Sequence, residues 1–513
     1  MAESKEAEEL LFRGIWERMR SGELGDTQIV RPKAWIIVPL LIIPTSILCG
    51  LFPWMVFGVL GAILLMLIMQ FRPGWVLVLF LAYIWLLAGR SDPGDLLENY
   101  PMVRWGSYLL IPPLCCLTVI KTLARGRWQM GMIEPFILFL SGVILISGLV
   151  NRVEIKPMVE TTAIYLRYPV LFLLIVNLDL KEKGFATGLK FLFMITGLLC
   201  IEALTNFLLW EKRGDEIFFT LGMSYGTANG GLFLGYSFCF LVAYLLEAKA
   251  KLYLFVAAIF LFLTAWVAEI RAMAVIVPVA SVLIYSVHKL MHKDWFKNGF
   301  LLLSIFLIGL VVAGVFVPWH DVAFRIQGLM SFNPGYRFDV SRRVLDELVF
   351  SDRLFLGWGP RSFNPGTLGG AGRMFELMVS EYGTRYFPTP NQLVTSFSEV
   401  GLVGFSAYWI MLVTILYVNL DFLRSVAGAS NHGGNGTERN WTIVSLAFIG
   451  IWFHYAIFGL WYYDLWRMDM SSFVFWTCAA AIYGERKRRT STLEMTMVEE
   501  NRSEMGSDEN LDG

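Results

Sequence analysis

The sequence predicts an all-α fold, a polytopic bundle of transmembrane helices with one large extracytoplasmic loop that contains short helices. Two observations predict this class. Of the 513 residues, 56% are hydrophobic and only 16% are charged, whereas a soluble domain is roughly 45–50% apolar and about 25% charged. The apolar residues also fall into runs of about 20, the length at which a helix crosses a bilayer with its backbone groups paired internally.

Apolar runs of this kind recur along the chain and predict 12 to 14 membrane-spanning helices. The full set is 34–52, 53–71, 74–89, 104–120, 132–150, 160–178, 188–210, 228–247, 252–270, 272–288, 299–317, 391–418, 441–459 and 467–484. The two runs that meet at Pro53 are close enough to form one interrupted helix, and so are the two that meet at Glu269–Arg271.

These runs divide the chain into five segments. They are a cytoplasmic segment over 1–33, helices 1–11 over 34–318, the extracytoplasmic loop over 319–390, helices 12–14 over 391–484, and a disordered cytoplasmic tail over 485–513. The tail is predicted to be disordered because it is polar and poor in apolar residues.

Lysine and arginine set the predicted orientation. With the N-terminus placed inside, the inner segments carry 25 Lys and Arg residues and the short outer segments carry 8. Because short cytoplasmic loops carry an excess of these residues, both termini are predicted to be cytoplasmic. The predicted location is a bacterial inner (cytoplasmic) membrane, with the loop over 319–390 on its outer side.

The loop over 319–390 contains eight arginines and no lysine. Arginine binds phosphate through a planar pair of N–H donors, so the set favours an anion site. Seven acidic residues nearly balance this charge, and surface ion pairing is the alternative for any single arginine. The apolar spacing over 340–350 predicts a short amphipathic helix, and the sequence Leu356-Gly-Trp-Gly-Pro360 predicts a sharp turn after it.

Several ionisable residues lie inside predicted spans or at their outer ends. Arg167 is near the middle of its span, Glu202 is in the outer half of its span, and Glu399 is about two turns below an outer end. Such residues are costly in lipid and are functional candidates by default. The alternative is a buried structural pair or, for Arg271 at an outer turn, a side chain that reaches the interface. Any chemistry is therefore expected on the extracytoplasmic side.

Cofactor chemistry finds no support in the sequence. It contains no phosphate-binding Walker motif, no dinucleotide-binding glycine pattern and no metal-ligand cluster. The six cysteines lie in apolar runs without zinc-ligand spacing. The expectation is a protein with no cofactor, no metal and no nucleic-acid partner.

Four short motifs between about residues 225 and 405 form an ordered set. They are Tyr225-Gly-Thr-Ala-Asn-Gly-Gly231, Glu269-Ile-Arg271-Ala272, Gly335-Tyr-Arg337 followed by Leu356-Gly-Trp-Gly359 and Phe363, and Asn391-Gln-Leu followed by Glu399-Val-Gly-Leu-Val-Gly404. Together they resemble the motifs of the O-antigen ligase and exopolysaccharide polymerase superfamily of bacterial membrane proteins. That family has a histidine before the asparagine, where this chain has Pro390.

The resemblance implies a metal-independent glycosyltransferase of cell-surface polysaccharide biosynthesis, acting on lipopolysaccharide or exopolysaccharide. The donor would be a polyprenyl-diphosphate-linked glycan and the acceptor a glycan, lipid or protein, in contact with membrane lipid and envelope-polysaccharide assembly proteins. The resemblance suggests Glu399, Asn391 and Arg271 as catalytic residues, and Arg271, Arg337, Arg342, Arg343 and Arg167 as ligands of the diphosphate. The missing histidine favours a polymerase over a ligase.

Two alternatives stay open from the residues. A transporter or flippase for a lipid-linked or small substrate fits the number of spans and Arg167, but its two halves would repeat, and no clear repeat is visible. A catalytically inactive scaffold of an envelope-polysaccharide complex fits the replacement of the motif histidine by Pro390.

Overall fold

The computed structural model describes fifteen stretches of the chain and is helical across them. They are 72–83, 111, 114–115, 118–119, 131–178, 180, 182–209, 227–247, 252–267, 271–291, 303–308, 335–360, 392–431, 436–461 and 472–490. Within these residues the chain forms helices joined by short turns and contains no strand. The predicted all-α class is confirmed. The predicted spans 34–52 and 53–71 and the segment 1–33 lie outside the described residues.

The main helices follow the predicted apolar runs. They are α1 (Trp75–Tyr83), α2 (Glu134–Val150), α3 (Ile155–Leu178), α4 (Glu182–Leu209), α5 (Thr227–Glu247), α6 (Leu252–Val267), α7 (Arg271–Met291), α8 (Gly335–Val349), α9 (Gln392–Asn431), α10 (Gly436–Trp461) and α11 (472–490). Two of them run past their predicted ends, since α9 continues beyond 418 and α11 continues beyond 484. In both cases the extra turns carry charged residues, which a hydropathy argument assigns to loops.

The amphipathic helix predicted over 340–350 is present as the second half of α8. Val344 and Leu348 are fully buried, while Val349 is half exposed. Helix α8 packs against α9, the next main helix along the chain. This contact covers its apolar face.

Helix α11 lies in the interior of the bundle. Every residue from 472 to 483 is buried, as expected for a helix that is apolar on all sides. Aromatic contacts join it to three neighbours: Phe473 stacks on Phe80 of α1, Trp476 meets Phe172 of α3, and Phe475 stacks on Tyr455 of α10. Helix α10 in turn contacts α5, α7 and α9.

A cluster of cations closes one end of this bundle, which we call the basic end. Four consecutive residues of α11 each bind a different segment: Arg486 binds Asp421 of α9 at 2.8 Å, Lys487 binds Glu134 of α2 at 3.4 Å, Arg488 binds the Leu180 carbonyl at 3.4 Å, and Arg489 binds Glu438 of α10 at 2.9 Å. Successive helix residues point about 100° apart, so four in a row reach neighbours on every side.

Further contacts at the basic end fix the direction of the other helices. Asn440 Nδ2 donates to Glu182 at the start of α4, and Arg439 donates to the Glu247 carbonyl at the end of α5. His288 near the end of α7 lies 3.3 Å from Glu247. Consequently α2, α4 and α10 begin at the basic end, whereas α3, α5, α7, α9 and α11 end there. Helices α2 to α5 and α9 to α11 therefore alternate in direction, and we call the opposite end of the bundle the far end.

Apolar side chains also cover part of the outer surface. Leu138, Phe139 and Ile146 of α2 are more than half exposed, and so are Ile410 and Val413 of α9. Contiguous exposed apolar surface of this kind marks contact with a membrane or a partner protein.

Two of the described helical stretches, Glu182–Thr205 and Ser396–Ala427, are long and apolar enough to cross a membrane. Other stretches are apolar but shorter, namely Glu134–Val150, Tyr165–Leu178, Phe233–Glu247, Leu252–Thr264 and Val277–Met291. The number of spans and the sidedness of the loop over 319–390 therefore stay predictions.

Candidate functional site

The site begins with a break in the longest helix. In α9 the backbone at Gly401 has φ 67° and ψ −171°, a region open to glycine and strained for other residues. A break of this kind releases the carbonyls before it and the N–H groups after it from helical hydrogen bonds. Buried backbone groups of this sort need new partners.

The turn Leu354–Pro360 supplies those partners, and we call it the docked turn. Trp358 N–H donates to the Ser398 carbonyl at 2.6 Å, and Gly359 N–H donates to the Glu399 carbonyl at 3.1 Å. In the other direction, Leu402 N–H donates to the Leu354 carbonyl at 2.9 Å, and Val403 N–H donates to the Phe355 carbonyl at 3.2 Å. Four main-chain hydrogen bonds therefore join the turn to the helix break.

Two glycines allow this close approach. Gly357 has φ 71°, and a Cβ placed on it would lie 2.5 Å from the Ser398 carbonyl oxygen. A Cβ placed on Gly401 would collide with the Phe355 carbonyl and lie 2.5 Å from Gly357 N. Each glycine leaves room for the backbone of the opposite segment. This explains why the turn and the break both contain a glycine.

The end of α2 forms the third side of the site. The Ser147 hydroxyl lies 2.5 Å from the Leu356 carbonyl and 2.9 Å from the Glu399 carbonyl, so it bridges the turn and α9. One helical turn further on, Asn151 Nδ2 donates to the Gly357 carbonyl at 3.0 Å. Both side chains are buried. Because α2 starts at the basic end, these contacts place the whole assembly at the far end.

A tight cap then reverses the chain beside the site. Arg152 follows α2 in the left-handed region at φ 54°, and Val153 N–H donates to the Gly148 carbonyl at 2.9 Å. This is the hydrogen-bond pattern that closes a helix C-terminus around a residue in that conformation. Val153 packs against Met158 as α3 starts.

Glu399 is the ionisable residue at the centre of this construction. It is 5% exposed, and its neighbours Ser396 and Ser398 are buried with it. Its main chain is fixed by the docked turn and by Ser147. The backbone that carries this buried carboxylate is therefore held at a defined position, and a carboxylate in such a place suits an acid, a base or a binding group.

The arginines that are predicted to bind the diphosphate lie on different helices. Arg342 and Arg343 lie on α8 and pair with acids one turn later, Asp346 at 4.0 Å and Glu347 at 3.4 Å. Arg337 lies in the first turn of α8 and Arg271 opens α7, while their side chains fall outside the described residues. Asn391 also lies outside them. The grouping of these residues around Glu399 stays a prediction.

Arg167 lies deeper in the bundle. It is buried in α3 with its guanidinium 4.5 Å from the centre of the Tyr168 ring. It is twelve residues along the helix from Ile155, which places it roughly 18 Å from the far end at 1.5 Å per residue. The grouping of Arg167 with Glu399 stays a prediction. Glu202, another buried charged residue, lies on α4.

Sequence reasoning missed the polar residues that position the site. Ser147 and Asn151 lie four residues apart at the end of an otherwise apolar helix, a spacing that puts them on one face and could have identified them. It also missed a buried polar cluster deeper in the bundle. There the Tyr408 hydroxyl donates to Tyr455 at 3.1 Å, the Tyr455 hydroxyl lies 3.5 Å from Ser472, and His454 meets the Tyr236 ring edge-on.

The far end thus joins three segments that are distant in sequence, the end of α2, the docked turn and the break in α9. In comparisons with known proteins, no protein-family model matches this sequence and no curated protein is significantly similar to it. The assignment of a function therefore depends on the residues and their geometry.

Proposed function

We propose that the chain is a polytopic membrane glycosyltransferase that polymerises or ligates polyprenyl-diphosphate-linked saccharides at the far end of the bundle. One observation carries the proposal. The Leu356-Gly-Trp-Gly359 motif and the Glu399-Val-Gly-Leu-Val-Gly404 motif, which carry much of the resemblance to O-antigen ligases and polymerases, bond directly to each other. A contact between two motifs forty residues apart supports a common role.

Charge distribution supports the orientation in this proposal. The cations Arg439, Arg486, Lys487, Arg488 and Arg489 all lie at the basic end. Positive residues near span ends favour the cytoplasmic side, so the far end would face outwards. The exposed apolar faces of α2 and α9 would then contact lipid.

Two kinds of side chain act on the substrates in the proposed reaction. The diphosphate is the leaving group, and arginines would stabilise the charge that develops on it. Arg271 and Arg337 are assigned this role, with Arg342 or Arg343 assisting. Asn391 and Glu399 would orient the acceptor hydroxyl, and Glu399 would accept its proton. Arg167 is the fifth arginine assigned to the diphosphate set.

Substitution of Glu399 tests the proposal. In a strain that lacks the chromosomal gene, the Glu399→Gln chain should fold, insert and fail to restore long surface glycan, because the amide cannot accept the proton. Glu182→Gln is the control, since it neutralises a carboxylate at the basic end, away from the site, and it should restore the glycan. Normal glycan with Glu399→Gln would overturn the role of Glu399 as the base.

The glycan left in the deletion strain separates the two reaction types. Loss of long chains with single repeats retained indicates a polymerase, which we favour because Pro390 replaces the motif histidine. Long chains that remain on the lipid carrier indicate a ligase. Unchanged surface glycan would contradict both. Arg271→Gln should likewise abolish transfer in a folded chain, and normal transfer in that variant would remove Arg271 from the site.

A transporter or flippase is the second candidate, and the interruption of α9 favours it. Helices broken inside an apolar stretch often hold the substrate in membrane transporters. In α9, however, the freed backbone groups at the break are occupied by the docked turn. Uptake of a lipid-linked saccharide into vesicles that contain the purified chain, without any change in glycan length, would favour transport.

A further inference from the structure

An apolar groove of about 710 Å³ lies on the side of the bundle, between α4, α5 and α6. Its wall includes Phe193 and Gly197 of α4, Leu241 of α5, and Ala257 and Leu261 of α6. This volume falls within the range of about 300–1,000 Å³ that small-molecule sites occupy. The groove belongs to a different part of the molecule from the docked turn and Glu399.

Polar groups occur where the groove reaches the basic end. Arg439 lines it there together with Tyr244 and Tyr253. The charges of Arg439 and Glu182 both act on the Tyr244 hydroxyl, in opposite directions. The groove is therefore apolar along most of its length and has a cation and two hydroxyl groups at one end. This matches the division of a lipid into acyl chain and headgroup.

Arg439 is held firmly at this end. Its Nε and Nη2 atoms donate to the Glu247 carbonyl at 3.1 and 2.6 Å, which fixes the guanidinium plane without neutralising its charge. The acidic side chains that flank it contact other partners, Glu247 contacting His288 at 3.3 Å and Glu182 accepting from Asn440 at 2.7 Å. A fixed guanidinium offers paired N–H groups to a phosphate.

The open side of the groove faces the surroundings of the bundle. Ile201 on α4 and Tyr253 and Val256 on α6 are more than half exposed, so the rim is apolar. From Tyr253 to Leu261 the groove follows eight residues of α6, about 12 Å at 1.5 Å per residue. An acyl chain could enter sideways from a bilayer and lie along this length with its phosphate at the basic end.

We infer that this groove is a binding site for an anionic phospholipid, with the phosphate on Arg439 and one acyl chain between α4 and α6. Basic pockets between membrane helices are established sites for anionic headgroups. The site is separate from the proposed transfer reaction and lies at the opposite end of the bundle. The lipid would bind at this place whether or not the chain transfers glycans.

Two glycines give a matched pair of variants for the test. A Cβ at Gly197 meets no atom within 4 Å although the residue lines the groove, and a Cβ at Gly142 on α2 also meets none. Gly197→Phe should therefore fill the groove without disturbing the core, and Gly142→Phe should add the same ring elsewhere on the bundle. Arg439→Gln removes the cation, and its control is Arg424→Gln at the exposed basic end of α9.

The measurement is the amount of phosphatidylglycerol or phosphatidylcholine retained by the purified full chain, counted by native mass spectrometry over a lipid titration. We expect phosphatidylglycerol to bind more tightly, and Gly197→Phe to weaken it about tenfold relative to Gly142→Phe. Arg439→Gln should remove the preference for the anionic lipid, whereas Arg424→Gln should keep it.

Equal binding by the two phenylalanine variants, or no preference in the parent chain, would overturn the inference, even if Arg439→Gln fails to fold. Loss of lipid binding with glycan transfer intact would leave the proposed function standing.

Discussion

Gly401 shows how one residue controls the far end of the bundle. Its backbone conformation opens α9, and the absence of a side chain lets the docked turn enter. The turn then fixes the main chain at Glu399 through the bond from Gly359. A side chain at this position would cost both conformational strain and contact with the turn.

Alanine at Gly401 is therefore expected to destabilise the protein by about 3 kcal/mol, because the conformation is strained for any residue with a Cβ and the new atom collides with the turn. Thermal unfolding of the purified chain measures this loss. Gly142→Ala is the control, and it should be neutral or stabilising by about 0.5–1 kcal/mol since helix interiors prefer alanine. Equal unfolding temperatures for the two variants would refute the account of the break.

Arg152 presents the opposite case, a residue with a side chain in a conformation that favours glycine. Left-handed backbone costs a non-glycine residue roughly 1–2 kcal/mol, so Arg152→Gly should raise the unfolding temperature. Part of the gain is lost because glycine also makes the unfolded chain more flexible, and a net increase of about 0.5–1 kcal/mol is expected. A lower unfolding temperature would show that the arginine side chain stabilises the cap.

At the scale of helices, the ion pairs of α11 are the main polar connections at the basic end. Lys487 is largely buried, and burial lowers the pKa of its ammonium group while Glu134 opposes that change. Each partner therefore depends on the other for its charge to be tolerated in this position.

A double-mutant cycle on Glu134 and Lys487 tests this dependence. Glu134→Gln and Lys487→Met should each cost about 3 kcal/mol, because each leaves the other charge buried alone. The double variant should cost less than the sum by at least about 1 kcal/mol. Glu438→Gln with Arg489→Met provides a more exposed pair for comparison, and its coupling should be smaller. Additive losses at Glu134 and Lys487 would mean that the two charges do not interact.

The sequence predicted the helices better than their ends or their contacts. Hydropathy located α2 to α7 and α10 closely, because each apolar run is too long to form a turn. It missed the final turns of α9 and α11, where Asp421 and Arg486 pair with each other and so allow helices to continue through charged residues. The burial of Glu399 could be predicted from its position inside an apolar run. The docking of 354–360 on the break could not, since it depends on backbone bonds between distant segments.

For the whole molecule, the alternation of helix directions is consistent with repeated crossing of a bilayer. The basic end collects the termini of α2, α3, α4, α5, α7, α9, α10 and α11. Membrane insertion follows the excess of Lys and Arg, so the molecule should have one orientation, with this end in the cytoplasm.

Cysteine labelling in intact cells tests this orientation. Cysteines placed at Glu154 and Asp352, which are exposed at or near the far end, should react with a membrane-impermeant thiol reagent added outside. Cysteines at Lys183 and Thr437, exposed at the basic end, should react only after the membrane is opened. The reverse pattern would invert the topology and place Glu399 on the cytoplasmic side.

The central position of α11 has a consequence for synthesis. This helix follows all of its described neighbours in the sequence, so α1, α2, α3, α9 and α10 leave the ribosome before the helix around which they pack. The earlier helices therefore cannot complete their packing until α11 has been synthesised. A chain halted before residue 472 would lack both the aromatic contacts of α11 and its four polar contacts at the basic end, and we expect the cell to degrade it.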